Sequence, residues 1–312
     1  MDFKIKGDIM YDIIIIGAGP AGLTAAIYAR RASKKVLVLE MNTYGGAIIN
    51  TLDIENYPAY AHISGFDLAT KIYNQAKELG TEVIFEKVIQ VKNNNDYKEI
   101  ITNNNSYKCK AIIIATGSKN RKLGLVNEDD LIGKGVSYCA TCDGNFYKKK
   151  VVAVVGGGNT ALEDALYLSD IASKVYLIHR RNEFRGDDKS LSQLNNKDNI
   201  EFIYNSNITK LNDKEKLTRI EVTDNFGNIR NINVDGLFIA VGRIPEKQIF
   251  KDLITLDESG YIKALEDCHT NVDGIFVAGD IRTKKVRQLV TATSDGAVAT
   301  IEAIKYISNL KK

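Results

Sequence analysis

Cys139 and Cys142 stand three positions apart in the stretch SYCATCDG, and Asp143 follows at once. Two thiols at this spacing support three kinds of chemistry. They can supply half of a zinc site, which needs two further ligands. They can form an inert turn. They can also open and close as a redox disulfide, with Asp143 placed to give or take the proton of a leaving thiolate. The zinc reading finds little to complete it, because Cys109, Cys268 and three histidines form no second closely spaced cysteine pair. Cys109 and Cys268 sit in or beside apolar segments and read as small core residues. His62 and His269 are isolated and read as surface or satisfied histidines.

A redox pair needs a source of electrons, and the elements around it supply the pattern for one. The segment YDIIIIGAGPAGLTAAIYARRASKKVLVLE runs from a strand (Ile13 to Ile16) through Gly17, Gly19 and Gly22 into a helix-like stretch and a second strand, Val36 to Leu39. The segment KKVVAVVGGGNTALEDALYLSDIASKVYLIHRR repeats the order, with strand Val151 to Val155, Gly156, Gly157, Gly158, Asn159, Thr160 and Ala161, a helix, and strand Val175 to Ile178. In each copy the first glycine allows the tight turn and the second lets phosphate approach the backbone. The third position, Gly22 or Ala161, must be small for close helix–strand packing. The helix N-terminus then offers free N–H groups to a pyrophosphate. Strand, glycines, helix and second strand in the right order make each copy a dinucleotide-binding unit.

The end of the second strand separates the two copies. Glu40 stands 23 residues after Gly17 and His179 stands 23 residues after Gly156, followed by Arg180, Arg181 and Arg185. A carboxylate accepts hydrogen bonds from free ribose hydroxyls and repels a 2′-phosphate, which predicts FAD or NAD in the first unit. Guanidinium groups pair with phosphate oxygens, which predicts NADPH in the second. Two further aliphatic segments align with each other, DGLFIAVG and DGIFVAGD, the second ending in Asp280; CKAIIIATGS is another strand, running into Thr116 and Gly117. Asp280 reads equally as a ribityl or pyrophosphate-water partner and as a strand cap. VKNNNDYKE and TNNNSY read as hairpin strands and turns, and 187–196 reads as polar surface. Cys142 lies 14 residues before Gly156, so the cysteine pair belongs to the second unit. Nicotinamide gives two electrons as hydride, flavin accepts them, and a disulfide can take them on.

Length and composition agree with an enzyme of this kind. The chain of 312 residues is long enough for about two domains, and 44% apolar and 26% charged residues are ordinary for a globular protein. A net charge of +3, from 42 basic and 39 acidic residues, argues against nucleic-acid or membrane-surface binding. The aliphatic runs are too short to cross a bilayer, and MDFKIKGDIM lacks the apolar core of a secretion signal. That segment reads as a short strand or as an extension ahead of a start at Met10. Four cysteines are too few for a secreted disulfide framework, so a reducing cytoplasm is expected.

Taken together, the motifs resemble those of the bacterial-type, low-molecular-weight thioredoxin reductases, FAD- and NADPH-dependent pyridine nucleotide-disulfide oxidoreductases. The resemblance runs from Tyr11 to about Tyr306 through GAGPAGLTAAIYARR, Gly45-Gly46, IENYP, ATGS, GVSYCATCDG, GGGNTALEDALYL, LIHRRNEFR, VGRIP, GIFVAGD and RQLVTATSDGAVA. It implies an α/β fold of two Rossmann-like, three-layer ββα domains. The FAD domain, residues 1–118 plus 246–312, would be split by an inserted NADPH domain, 119–245, that carries the redox cysteines. FAD contacts are implied for Gly17, Gly19, Gly22, Glu40, Gly46, Asn56, Thr116, Gly117, Asp280, Arg287 and Gln288. NADPH contacts are implied for Gly158, Asn159, Thr160, Glu163, His179, Arg180, Arg181, Arg185 and Gly242. By the same resemblance Cys142 is the flavin-proximal thiol, Cys139 attacks the disulfide of thioredoxin, and Asp143 handles the proton. No metal is implied. The resemblance also implies a homodimer whose domains rotate during the cycle. Two departures stand out: Ala47 where the family has Gln, and Tyr57-Pro58-Ala59-Tyr60 where it often reads YPGF. Competing readings are delivery to another redoxin or a peroxidase, a ferredoxin-fed flavoprotein, a non-catalytic nucleotide sensor, and a zinc-stapled binding protein.

Overall fold

Ile13, Ile14, Ile15 and Ile16 are at most 3% exposed, because the strand that carries them is covered on both sides. Ile13 and Ile15 pack with Val36, Val38, Ala111, Ile113 and Phe276 under helices Pro20–Arg31, Gly65–Glu78 and Leu289–Asn309. Ile14 and Ile16 face the other way and pack with Leu37, Leu39, Ile112, Ile114, Val277, Ile100 and Phe250. A run of branched residues with no polar alternation is what a doubly covered parallel strand requires. Each fully buried isoleucine contributes about 1.5–3 kcal/mol.

The structure is a computed structural model that describes residues 4–51, 53–94, 96–212, 215–245 and 247–310. The chain divides into two compact units, Met1–Lys119 with Ile244–Lys312, and Asn120–Arg243. In the first unit, strand Lys4–Ile16 pairs in parallel with Val36–Glu40 on one side and Asn105–Ile114 on the other. Glu82–Phe85 extends the sheet beyond Val36–Glu40, and Ile275–Val277 pairs with Asn105–Ile114. Asn103 and Asn104 form the turn between strands Lys98–Thr102 and Asn105–Ile114, while residue 95 of the other asparagine-rich segment lies outside the described residues. Val88–Asn93, Lys98–Thr102 and Asn105–Ile114 form an antiparallel meander whose inner residues join the second core.

The second unit repeats the plan. Strands Ile200–Ile203, Lys174–Ile178, Val151–Gly156, Gly236–Ala240 and Val136–Ser137 make a five-stranded parallel sheet. Helix Asn159–Ser169 covers one face, where Ala161, Leu162, Ala165 and Leu168 meet Val152, Val154, Val175, Leu177 and Phe238. The other face, with Ala153, Val155, Ile178, Leu237 and Ile239, is covered by the antiparallel meander Ser206–Asn212, Arg219–Asp224 and Ile229–Asn233. Helix, parallel sheet and meander give this unit the three-layer ββα arrangement. Much of the polar stretch 187–196 folds as helix Asp188–Asn195, capped by Asp187 and anchored by buried Leu194. Its surface reading holds for the exposed side chains but missed the helix. Among the described residues no helix is long and apolar enough to cross a membrane.

Candidate active site

Cys139 and Cys142 are joined as a disulfide with their Cα atoms 5.3 Å apart, and both side chains are half-buried. Strand Val136–Ser137 delivers the pair. The strand ends at Ser137, and the chain turns into the short helix Ala140–Asp143. Buried Ala140 and Gly144 seat this turn on helix Asn159–Ser169, so closely that a Cβ at Gly144 would press on Tyr167 and Leu168. Ser137 Oγ donates to Asp143 Oδ2 at 2.6 Å and accepts from the Cys139 N–H at 3.1 Å. Burial pushes the Asp143 carboxyl above its ordinary range, against the lowering effect of the Ser137 bond. Such a carboxyl holds a proton more readily than a surface aspartate, which suits it to protonate a departing thiolate. Cys109 and Cys268 are buried and free, with burial pushing both thiols up to about 12, so they stay protonated and unreactive.

In the first unit the carboxyl ends of the parallel strands bring the sequence-identified residues together. A Cβ at Gly22 would overlap the Gly17 carbonyl oxygen, so the helix packs on the turn only because Gly22 has none. Gly45 N–H donates to Ala18 O at 2.8 Å, and Gly46 lies against Gly19, where an added Cβ would stand 3.1 Å from the Gly19 Cα. Glu40 accepts from Ala18 N–H at 2.8 Å and from Asn42 N–H at 3.0 Å, which fixes its carboxylate at the mouth of the turn. Thr116 and Gly117 follow strand Asn105–Ile114, and the Thr116 nitrogen lies beside Gly17. Asp280 follows the neighbouring strand Ile275–Val277. Arg287 donates to Asp280 O at 3.4 Å and lies over the Tyr261 ring, and Asn56 Nδ2 donates to Gln288 Oε1 at 3.3 Å. The buried hydroxyls Thr116 Oγ1 and Ser118 Oγ have no hydrogen-bond partner, so this cradle offers polar atoms to a ligand. Nothing in ATGS separates Ser118 from a turn serine, so the sequence carries no signal for it.

The second unit builds a different mouth. His179 is buried against Gly157, whose missing Cβ leaves room for the imidazole, and it stacks on Phe184 at 5.1 Å. Its Nε2 is buried without a partner. Burial, then the charges of Arg185, Arg180 and Arg181, push the imidazole below its ordinary value, against a hydrogen bond with the Glu183 backbone. Arg185 N–H donates to Gly157 O at 2.7 Å and Asp187 N–H to Asn159 Oδ1 at 2.8 Å. These bonds fold the basic loop back onto the glycine turn and leave Arg180, Arg181 and Arg185 exposed beside it. Gly158 and Gly242 have open space where a Cβ would stand, and Asn159, Thr160 and Glu163 are exposed on the first turns of the following helix. Free N–H groups, an orphaned imidazole nitrogen and three guanidinium groups make this mouth fit a phosphorylated nucleotide.

Ala47 is exposed in the turn Gly46–Asn50. Ala59 takes φ +83° in the turn closed by Tyr60 N–H to Tyr57 O. His62 is not isolated: its Nδ1 pairs with Asp53 at 2.8 Å and lies 3.6 Å from Glu55, on the surface. His269 pairs with Glu302 at 3.3 Å.

A family model described as pyridine nucleotide-disulphide oxidoreductase matches residues 11–296. A thioredoxin reductase of Listeria innocua is 42% identical over 305 residues, spanning 97% of this chain and 96% of that protein. The crystal structure of thioredoxin reductase from Streptococcus pyogenes superposes with a TM-score of 0.91 at 40% identity, covering 96% of this chain and 99% of that one. Thioredoxin reductase from Giardia duodenalis gives 0.90 at 37% identity, with the same coverage of 96% and 99%. With the redox turn and both nucleotide cradles in place, the chain belongs to the pyridine nucleotide-disulphide oxidoreductase family and, within it, to the thioredoxin reductases.

Proposed function

We propose that the chain reduces the disulfide of oxidised thioredoxin with the dithiol form of Cys139 and Cys142, using FAD and NADPH. The unit Met1–Lys119 with Ile244–Lys312 would hold FAD, and the unit Asn120–Arg243 would hold NADPH. Bound NADPH supplies a hydride and bound FAD relays its two electrons as a pair. Gly17, Gly19, Gly22 and Gly46 shape the pyrophosphate cradle, Glu40 receives the adenosine ribose, and Asn56, Thr116, Gly117, Asp280, Arg287 and Gln288 line the rest. Gly158, Asn159, Thr160, Glu163 and Gly242 receive NADPH, and His179, Arg180, Arg181 and Arg185 hold its 2′-phosphate.

Two electrons and one proton convert the Cys139–Cys142 disulfide to one thiol and one thiolate. Cys142 is the thiol that faces the flavin in this scheme. The Cys139 thiolate attacks one sulfur of the thioredoxin disulfide, and Asp143 supplies the proton to the departing thiolate. The Cys142 thiol then attacks the Cys139 sulfur as its proton passes to the Asp143 carboxylate; the second thioredoxin sulfur leaves as a thiolate that takes a proton from water, and the original bond is restored. The working form is a cytoplasmic homodimer.

The observation that carries this reading is the half-buried disulfide beside a carboxyl held by Ser137. The test is anaerobic: flavin absorption is followed while NADPH or NADH is added in separate cuvettes. Rapid bleaching by NADPH, with a gain of two titratable thiols that is lost in Cys142→Ser, supports the scheme. No bleaching by either nucleotide overturns it and turns the search to another donor, ferredoxin first.

A further inference from the structure

In the second unit the parallel strands Val151–Gly156, Lys174–Ile178 and Ile200–Ile203 lie side by side in that order, with their carboxyl ends at one edge of the sheet. The first end carries the glycine turn, the second carries His179, Arg180 and Arg181, and the third carries Tyr204. Ligands of an open parallel sheet bind outside the carboxyl ends of its strands. A nucleotide that starts at the glycine turn and carries a phosphate to the arginines is therefore directed toward Tyr204. The backbone holds this residue close. His179 N–H donates to Ile203 O at 2.8 Å, Asn205 N–H to Arg181 O at 3.1 Å, and Ser206 N–H to His179 O at 3.0 Å. Tyr204 thus stands between two residues that are bonded to the arginine segment.

Its side chain lies on the face that the ligand would use. Tyr204 stacks on Phe202, two positions earlier, with ring centres 5.9 Å apart and planes 11° apart, while Ile203 between them packs into the opposite core. Phe202 packs into the core under helix Asn159–Ser169, so Tyr204 shares the face on which that helix presents its N-terminus. Phe184, which stands between Arg181 and Arg185 in the chain, has its ring centre 5.2 Å from Tyr204 and 5.1 Å from His179. Core packing accounts for Phe184 and Phe202 but not for all of Tyr204, which is 37% exposed and lies outside that core. Its hydroxyl makes no hydrogen bond with any of the described residues. Burial alone acts on this hydroxyl and pushes it above its ordinary value, so it is a donor at neutral pH. Phenylalanine would stack equally well; tyrosine adds a donor beside three exposed arginines. A phosphate has three acceptor oxygens to receive such a set. We propose that Tyr204 is a specificity-determining residue of the nucleotide site, which closes its outer end and donates its hydroxyl to the 2′-phosphate. The inference rests on the NADPH reading of this unit.

The test is calorimetric titration of the flavin-loaded, full-length protein with 2′,5′-ADP and with 5′-AMP, which differ only in the 2′-phosphate. It reads binding without turnover, so it does not depend on thioredoxin. Tyr204→Phe keeps the ring against Phe184 and Phe202 and removes the hydroxyl alone. It should weaken 2′,5′-ADP about tenfold and leave 5′-AMP unchanged. Its urea midpoint should match that of wild type, because an exposed hydroxyl without a partner adds little to stability. KM for NADPH should rise by the same factor while KM for NADH stays level. Unchanged affinity of Tyr204→Phe for 2′,5′-ADP overturns the proposal. Equal losses for the two nucleotides also overturn it, since the residue would then shape the loop or the adenosine pocket and not read the phosphate. A wild type that binds 2′,5′-ADP no more tightly than 5′-AMP would instead refute the NADPH reading itself, and the role of Tyr204 would fall with it.

Discussion

Ser137 Oγ lies 2.6 Å from Asp143 Oδ2 and 3.1 Å from the Cys139 nitrogen, so one hydroxyl joins the Asp143 carboxyl to the backbone of Cys139, half of the disulfide. Burial raises the Asp143 carboxyl and the Ser137 bond restrains that rise. A group that acts as an acid serves only while protonated, so turnover should fall as pH rises through the Asp143 titration. Ser137→Ala removes the restraint and should move this fall to higher pH. Asp143→Asn should lower kcat by about 10²–10⁴. Profiles of kcat against pH for the three proteins check both statements, and superimposable curves would exclude Asp143 as the acid.

Arg180 and Arg181 extend from the loop that Arg185 N–H and Asp187 N–H fasten to the glycine turn. Their only proposed work is on the 2′-phosphate. Replacing both with glutamine should raise KM for NADPH by about 10–100-fold and leave KM for NADH nearly unchanged. Equal losses for both nucleotides would mean that these arginines do not read the phosphate.

The two glycine turns and the strands that feed them were legible because a tight turn, a close phosphate and a close helix each leave a residue type at a fixed spacing. The residues that orient the redox turn were not. Ser137 precedes Asp143 by six positions, a spacing with no periodic meaning, and the fold alone brings them together. Asp295 lies inside RQLVTATSDGAVA, where its close neighbours in sequence include no cation for it to pair with. Its partners come from a segment that approaches the helix only in three dimensions.

That segment supplies a buried charge cluster. Asp295 accepts from Gly279 N–H at 2.9 Å, from Arg282 at 2.9 and 3.0 Å, and from Lys284 at 2.7 Å. It thereby ties the Gly279–Asp280 turn to helix Leu289–Asn309. Burial pushes its carboxyl upward, but the bonds from Arg282 and Lys284 outweigh this and hold it below the usual range. A lowered carboxyl contributes stability that is present above its unfolded titration and is lost as pH falls through the folded one. Asp295→Ala should cost about 3–5 kcal/mol at neutral pH, because it strands two buried cations. The difference from wild type should shrink in acid, below the ordinary carboxylate range. Urea unfolding at neutral and acid pH measures it, and a cost under about 1 kcal/mol at neutral pH would show that the cations find other partners.

Tyr57, Pro58, Ala59 and Tyr60 form a turn closed by Tyr60 N–H to Tyr57 O at 3.2 Å, with proline second and φ +83° at the third residue. Proline then positive φ is the type II pattern, which favours glycine at the third place. Ala59 therefore sits in the left-handed region at a cost of about 1–2 kcal/mol. Ala59→Gly removes that strain but enlarges the conformational freedom of the unfolded chain, which opposes it by about 0.4–1 kcal/mol. The difference favours the folded state, so the variant should gain about 0.5–1 kcal/mol. The gain should appear as a higher urea midpoint with an unchanged slope, since no surface is exposed or buried by the change. A lower midpoint would mean that the unfolded-chain entropy outweighs the turn strain, and that the alanine is the better residue at this position.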